Sequence, residues 1–218
     1  MHHPLFVRSH SAASALPRRL EAADVAWATA LLLRATAAHP ALRYVCGGPS
    51  AAGQYWLLKQ LLLLVLRHGA AYTNAPGTAL ALWLGPAQAA AARTTRLRLL
   101  PATLWHLGWA GHRRLGRLLS TMTWLRRHGV AGPHHLLLGV AVLPEAQGRG
   151  EGRRLLASTL ALRQTPLPCY FSTQVPAQLA FYQGMGFTLA GHCPVGDGPD
   201  GPLSNWGLLR PPTVYPNL

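Results

Sequence analysis

Gln147-Gly148-Arg149-Gly150-Glu151-Gly152 is the stretch of this chain whose residue types and spacing could do chemistry. An apolar run over residues 135–143, closed by Pro144, precedes it, and Arg153-Arg154-Leu155-Leu156-Ala157-Ser158-Thr159-Leu160, which reads as a helix, follows it. The order strand, glycine-rich turn, helix leaves backbone N–H groups unpaired at the helix start. Together with the positive end of the helix dipole, they form a site for a phosphate-like anion. Glycines let the backbone approach a ligand closely and take conformations that other residues resist. Arg149 and Arg153 add positive charge at the same place.

Further along stands Phe181-Tyr182-Gln183-Gly184-Met185-Gly186-Phe187. Taken together, the two segments resemble the GNAT family, the acetyl-CoA-dependent N-acetyltransferases. That family carries a Gln/Arg-x-x-Gly-x-Gly/Ala loop after its fourth strand and a Tyr-x-x-x-Gly-Phe segment after its fifth. The matching residues here are Gln147, Gly150 and Gly152, then Tyr182, Gly186 and Phe187. The stretch Cys169-Tyr170-Phe171-Ser172-Thr173-Gln174-Val175-Pro176 is similar to the branch that includes puromycin N-acetyltransferase and many bacterial small-molecule acetyltransferases. The specific part of the resemblance covers residues 133–190, and the N-terminal half matches in layout.

The resemblance implies an α/β (α+β) fold: a mixed, mostly antiparallel central sheet, helices on both sides, and strands four and five splayed apart. It implies transfer of an acetyl group from acetyl-CoA to the amine of a small-molecule acceptor. Amides of Gln147, Gly148, Arg149, Gly150, Glu151 and Gly152, with Arg153, would then hold the pyrophosphate. Backbone groups of Val140, Ala141 and Val142 would pair with the amide-bearing pantetheine arm as one strand edge pairs with another. An amide near Val142 would polarise the thioester carbonyl. Gln178 stands where the branch carries an Asn that binds coenzyme A. Tyr182 would protonate the leaving thiolate, since a phenol with an ordinary pKa of about 10 lies near a thiol.

The base that takes the amine proton has no motif. The branch commonly places a carboxylate where this chain has Ser172, and the six acidic residues lie elsewhere: Glu21, Asp24, Glu145, Glu151, Asp197 and Asp200. His134 is an imidazole candidate or a strand-end residue tying down a backbone carbonyl, and a water chain could serve instead. Trp83, Trp105, Trp109, Trp124 and Tyr44 could line an apolar acceptor pocket or belong to the core. Two further classes stay open: an acyl-CoA-binding protein that does not transfer, motivated by Ser172 and Val175, and a basic nucleic-acid-associated protein.

Composition narrows these readings. The formal charge is +14 over 218 residues, with Lys59 the only lysine, so the chain carries a field that attracts anions. No nucleic-acid-binding signature or interleaved aromatic pattern accompanies it, which argues against nucleic acid as a partner. So few carboxylates disfavour a polycationic acceptor. Cys46, Cys169 and Cys193 form no Cys-x-x-Cys pair, which suits a reducing cytoplasm, and the adjacent His2-His3 and His134-His135 pairs lack metal-site spacing. No signal peptide or membrane span is expected, and the protein would act as a monomer or homodimer.

One domain over 1–218 is the default for this length. The elements expected around the loop are a first strand over 5–8, helices over 20–37 and 54–68, and a hairpin of strands 70–74 and 78–84. A helical segment follows over 87–132, broken near Pro101 and Gly111. After it come strand four (135–143), a helix to 163, strand five (169–174), a helix over 176–184 and strand six (187–191). Residues 193–202 read as a Gly/Pro-rich loop before a last strand over 203–209.

Overall fold

The computed structural model describes residues 16–87, 100–163 and 166–212. Strands β1 (Arg18–Arg19), β2 (Gly69–Thr73), β3 (Ala79–Leu84), β4 (His135–Val142), β5 (Cys169–Thr173), β6 (Thr188–Gly198) and β7 (Gly201–Arg210) form one seven-stranded sheet. Its order is β1-β2-β3-β4-β5-β7-β6. Each neighbouring pair is antiparallel except β4 and β5, which are parallel. The helices are α1 (Val25–Thr36), α2 (Pro40–Cys46), α3 (Ala51–His68), α4 (Leu100–Gly129), α5 (Glu151–Ala161) and α6 (Leu179–Gln183). The α5 crossover between β4 and β5 accounts for their parallel sense. The strand expected over 5–8 lies outside the described residues.

Alternation along β3 shows how the sheet is covered. Leu80 and Leu82 pack with Leu31, Leu32, Leu58 and Leu62 of α1 and α3. Ala79, Ala81 and Trp83 face the other way, against Leu155 and Leu156 of α5 and Tyr182 of α6. Period-two strands between period-3.6 helices give these two cores. A third cluster joins Tyr44 and Val45 of α2 to Leu118 of α4 and to Val195 and Leu203 of the β6–β7 hairpin.

The structure corrects several expectations. His39-Pro40, read as a helix stop, starts α2. Pro40 occupies the first turn, where its missing N–H is no loss, and the His39 ring accepts from the Ala41 N–H at 3.3 Å. Residues 193–202 are not a loop but the outer half of the long β6–β7 hairpin. Pro194 fits because β6 is an edge strand and the ladder slips between Pro194 and Gly196. Pro101 sits in the first turn of α4, and the break falls at Gly108 (φ 65°, ψ 177°) rather than Gly111. Gly111 instead lets α4 approach α2: a Cβ there would lie 3.0 Å from the Val45 carbonyl.

Trp83 and Tyr44 are buried core residues, while Trp105, Trp109 and Trp124 are 87%, 65% and 51% exposed. The Arg163 guanidinium lies 4.4 Å from the Trp83 ring centroid. None of the five aromatic candidates lines the cavity described below.

Two predictions follow from this packing. Burial holds the His39 pKa down to about 4. Its folded value lies below the unfolded one, so its contribution to stability is present above about pH 6.5 and is lost as pH falls to about 4. Melts from pH 4 to 7 should show a loss of up to about 3 kcal/mol that His39→Asn, a capping residue that does not titrate, removes. Gly207 of β7 faces Ser172 in the ladder. A Cβ at Gly207 would fall inside contact distance of the Tyr170 hydroxyl and 3.1 Å from Leu125 Cγ. Gly207→Ala should cost about 1–3 kcal/mol in urea unfolding, and Tyr170→Phe should recover most of it. Strictly additive losses would disprove the clash.

Candidate active site

The site is built where β4 and β5 part. Their last paired residues are Leu137 and Phe171. Beyond that point β4 stays zipped to β3 through Val142, and β5 stays zipped to β7 through Thr173. Both strands are held from outside, so a gap opens between them. A bulge helps: Leu137 faces Trp83 and Gly139 faces Leu82, leaving Leu138 as the extra residue at the fork.

The Leu143 N–H donates to the Thr78 carbonyl on the β3 side at 2.9 Å. Successive residues direct their backbone groups to alternate edges, so Val142 and Val140 present theirs to the gap while Ala141 faces β3. The Gln147 side chain folds back and donates to the Val142 carbonyl at 3.0 Å. Sequence reasoning assigned Gln147 to the loop but did not foresee this cap on the strand end.

From β4 the chain runs through a 3-10 turn (Pro144–Ala146) into the glycine loop. Gly148 and Gly150 hold left-handed backbone (φ 74° and 76°), a conformation other residues adopt at a cost. Gly152 serves packing: a Cβ would lie 3.1 Å from Val142 Cγ2, so its absence seats α5 on β4. The first helical bond runs from the Arg154 N–H to the Gly150 carbonyl at 3.0 Å. Among the described residues, the amides of residues 148–153 have no acceptor, and they sit at the positive end of an eleven-residue helix.

The three arginines of this stretch differ. Arg154 is neutralised by Glu151 at 2.7 Å and also donates to the Arg149 carbonyl. Arg153 donates to the Gly184 carbonyl at 3.1 Å, tying α5 to the C-terminal end of α6. Arg149 is exposed, and its side chain makes no hydrogen bond or ion pair among the described residues, acting on Glu151 only through its charge. Glu151 also accepts from Asn74 at 2.8 Å, and Arg154 followed by Asn74 lowers its pKa. That carboxylate is committed to structure.

Tyr182 lies under β5 on the face covered by α5. Its ring packs 4.1 Å from Phe171 and edge-on to Phe181 and Phe187, and it is 3% exposed. The hydroxyl has no partner among the described residues and is not fully enclosed. Burial pushes the phenol above its ordinary value, so it stays protonated but is a weaker acid than the sequence implied. Gln178 ends a 3-10 turn after β5. Its Oε1 accepts from the Thr173 hydroxyl at 2.7 Å, leaving its NH2 group as the donor.

The opposite face of the fork carries a cavity. Leu84, Leu136, Leu138 and Met122 line it together with Arg126, Tyr170 and Ser172. Ser172, where a carboxylate was expected, therefore opens toward α4, while its neighbour Phe171 faces Tyr182. His134 stands apart. It lies six residues before Val140, roughly 20 Å along the strand, and its Nδ1 pairs with the Gly132 carbonyl at 2.9 Å. Burial, foremost, lowers its pKa. It is a strand-end residue, not a base at the gap. Tyr170 was quoted in the strand-five stretch without a role of its own and Arg126 was not singled out, because their meeting depends on where α4 lands and leaves no local pattern.

Among the described residues, no cluster of three metal-ligating side chains occurs, and no helix is long and apolar enough to cross a membrane. The structure is similar to several solved acetyltransferases. One is a histone acetyltransferase-related protein from Corynebacterium glutamicum (21% identity over 93% of this chain and 99% of that one, TM-score 0.61). Another is a polyamine N-acetyltransferase from Drosophila melanogaster (14% identity, 90% and 99% covered, TM-score 0.58). A third is an arylalkylamine N-acetyltransferase from Aedes aegypti (13% identity, 89% and 97% covered, TM-score 0.61). At these identities the likeness establishes the fold. Residues 110–189, from α4 through the glycine loop and Tyr182 into β6, match the family model of the acetyltransferase (GNAT) domain.

Proposed function

We propose that this protein is an N-acetyltransferase that moves an acetyl group from acetyl-CoA to the amine of a small-molecule acceptor. The observation that carries this reading is the gap between β4 and β5, flanked on one face by the unpaired amides of residues 148–153 and by Tyr182. Those features fit an anionic, amide-bearing donor. The loop amides and Arg149 would hold its pyrophosphate, with Arg153 contributing once released from Gly184. Val140 and Val142 would pair with the arm, and the Gln178 NH2 would donate to it. Acetyl-CoA supplies the acyl group as a thioester.

In the net reaction the amine nitrogen bonds to the acyl carbon, the carbon–sulfur bond breaks, and the amine proton balances the thiolate as a thiol. Tyr182 holds a proton on the donor face and would deliver it. No carboxylate lines the cavity on the other face, so the acceptor must arrive as free amine or lose its proton to water. The resemblance of residues 169–176 to the puromycin N-acetyltransferase branch supports a small-molecule acceptor. The same reading takes the chain as one domain acting in the cytoplasm, as monomer or homodimer.

Calorimetry and a thiol-release assay test this reading. Gly150→Trp should abolish acetyl-CoA binding by blocking close approach to the amides, and unchanged affinity in a folded variant would refute the site. Arg149→Gln should weaken binding more at low salt than at high salt. Tyr182→Phe should melt within about 0.5 kcal/mol of wild type, because its hydroxyl has no protein partner. Its kcat should fall roughly 10²-fold with acetyl-CoA affinity preserved. A fall below about threefold would mean that solvent protonates the thiolate. The rate should rise with pH through the acceptor's own pKa. Tight acetyl-CoA binding with no thiol release from a broad amine panel would replace transfer by acyl-CoA binding alone.

A further inference from the structure

We propose that the outer face of α4 is a docking surface for an anionic lipid bilayer. The inference is independent of acetyl transfer and concerns a surface that the reaction does not use.

An α-helix turns about 100° per residue, so Trp109, Arg113, Arg117, Ser120, Trp124 and Arg127 fall on one stripe of α4. All six are exposed, while Leu118 and Leu125 on the opposite side are buried. The stripe runs roughly 27 Å along the helix. Leu104 and Trp105, just before the kink at Gly108, are exposed as well.

Surface apolar side chains scattered singly are ordinary. Three tryptophans and a leucine exposed on one helix form a patch, and such patches mark contact surfaces. The rings after the kink lie against their own helix: Trp109 stacks on His112 and Trp124 on His128, with centroids 6.2 and 4.2 Å apart.

Charge identifies the occupant. Arg113, Arg117 and Arg127 make no hydrogen bond or ion pair among the described residues. No Asp or Glu occurs between Asp24 and Glu145, so neither α3 nor α4 carries one. Of the two acids on the β6–β7 hairpin, which packs on α4, Asp200 is already paired with Arg43. That leaves Asp197 as one acid to three free arginines. Tryptophan rings seat at the level of lipid headgroups, and each Arg near an anionic membrane surface adds attraction. Leu104 favours lipid over nucleic acid. Bases reward ring stacking and phosphate pairing, whereas an aliphatic side chain gains by entering the headgroup boundary. The glycine loop lies on the other face of the sheet from α4, so docking leaves it open to solvent.

The test is sedimentation of the full chain with vesicles of phosphatidylcholine alone and with about one-fifth phosphatidylglycerol. Partition into the anionic vesicles should be stronger by about 10²-fold or more and should fall in high salt. Brominated lipid should quench the tryptophan emission, and Trp105→Gln with Trp109→Gln should remove most of that quenching. Arg113→Gln, Arg117→Gln and Arg127→Gln together should bring anionic partition near the neutral-vesicle level. Arg18→Gln, Arg34→Gln and Arg67→Gln remove the same charge from β1, α1 and α3, and should lower partition less than about threefold. All these positions are exposed, so the variants should melt with wild type. If the stripe triple does not, Arg113→Gln and Arg127→Gln singly decide, each lowering partition about fivefold. Equal losses in the two triples would mean a diffuse field and overturn the proposal. So would unquenched tryptophans, or no preference for the anionic vesicles. A single-stranded RNA oligonucleotide that binds through the stripe more tightly than the vesicles do would assign the face to nucleic acid and overturn it too.

Discussion

Two strands that run parallel for three residues and are then pulled apart set the terms for everything around them. β4 cannot follow β5 past Leu137, because β3 holds it through Val142 while β7 holds β5 through Thr173. Unpaired backbone groups inside a sheet are costly, so such a fork persists only where something polar can enter it. The bulge at Leu138 and the Gln147 cap on the Val142 carbonyl lessen that cost on the β4 side. The two faces of the fork then acquire different characters. One carries the glycine loop, α5 and Tyr182, and the other carries Ser172, Tyr170 and α4.

Charge is distributed with the same asymmetry. The chain has twenty basic and six acidic side chains, and four of the six acids are spent on surface ion pairs. Exposed pairs of that kind add little stability, about 0–1 kcal/mol each. Their consequence here is positional: carboxylates are drawn to the loop, the first helix and the hairpin tip, and the α4 cavity is left without any. Among the loop arginines, Arg153 and Arg154 brace the helix to its neighbours, and Arg149 keeps its charge toward solvent.

α4 is the element that makes this fork particular. It packs on α2 and on the β6–β7 hairpin through Tyr44, Leu118, Val195 and Leu203. A buried polar relay fixes its height over the sheet: Gln174 at the end of β5 donates to Asn205 of β7, which donates to Thr121 of α4 at 2.8 Å. Gln174 and Asn205 are both buried, so breaking this relay would strand polar groups out of reach of water. Arg126 sits on the helix so positioned, and the cavity beneath α4 therefore depends on contacts made more than a turn away.

The sequence by itself determined what is local. Glycines with a flanking strand and helix specify the loop, because left-handed backbone at positions 148 and 150 and close packing at 152 are demands that a short segment states in its own residue types. Periodicity specified the β2–β3 hairpin, β4 and β5 within a residue of their ends, and α3 with its start placed three residues late, for the same reason. Misreadings arose where one residue type serves two contexts. Pro40 stops a helix or starts one, and Pro194 ends a strand unless that strand lies at an edge. Only the tertiary structure decided which strand edges pair and which part, which tryptophans are buried, that His134 lies far from the gap, and that Tyr170, Ser172 and Arg126 share one cavity. Those outcomes depend on contacts between residues distant in the chain, whose partners no local pattern names.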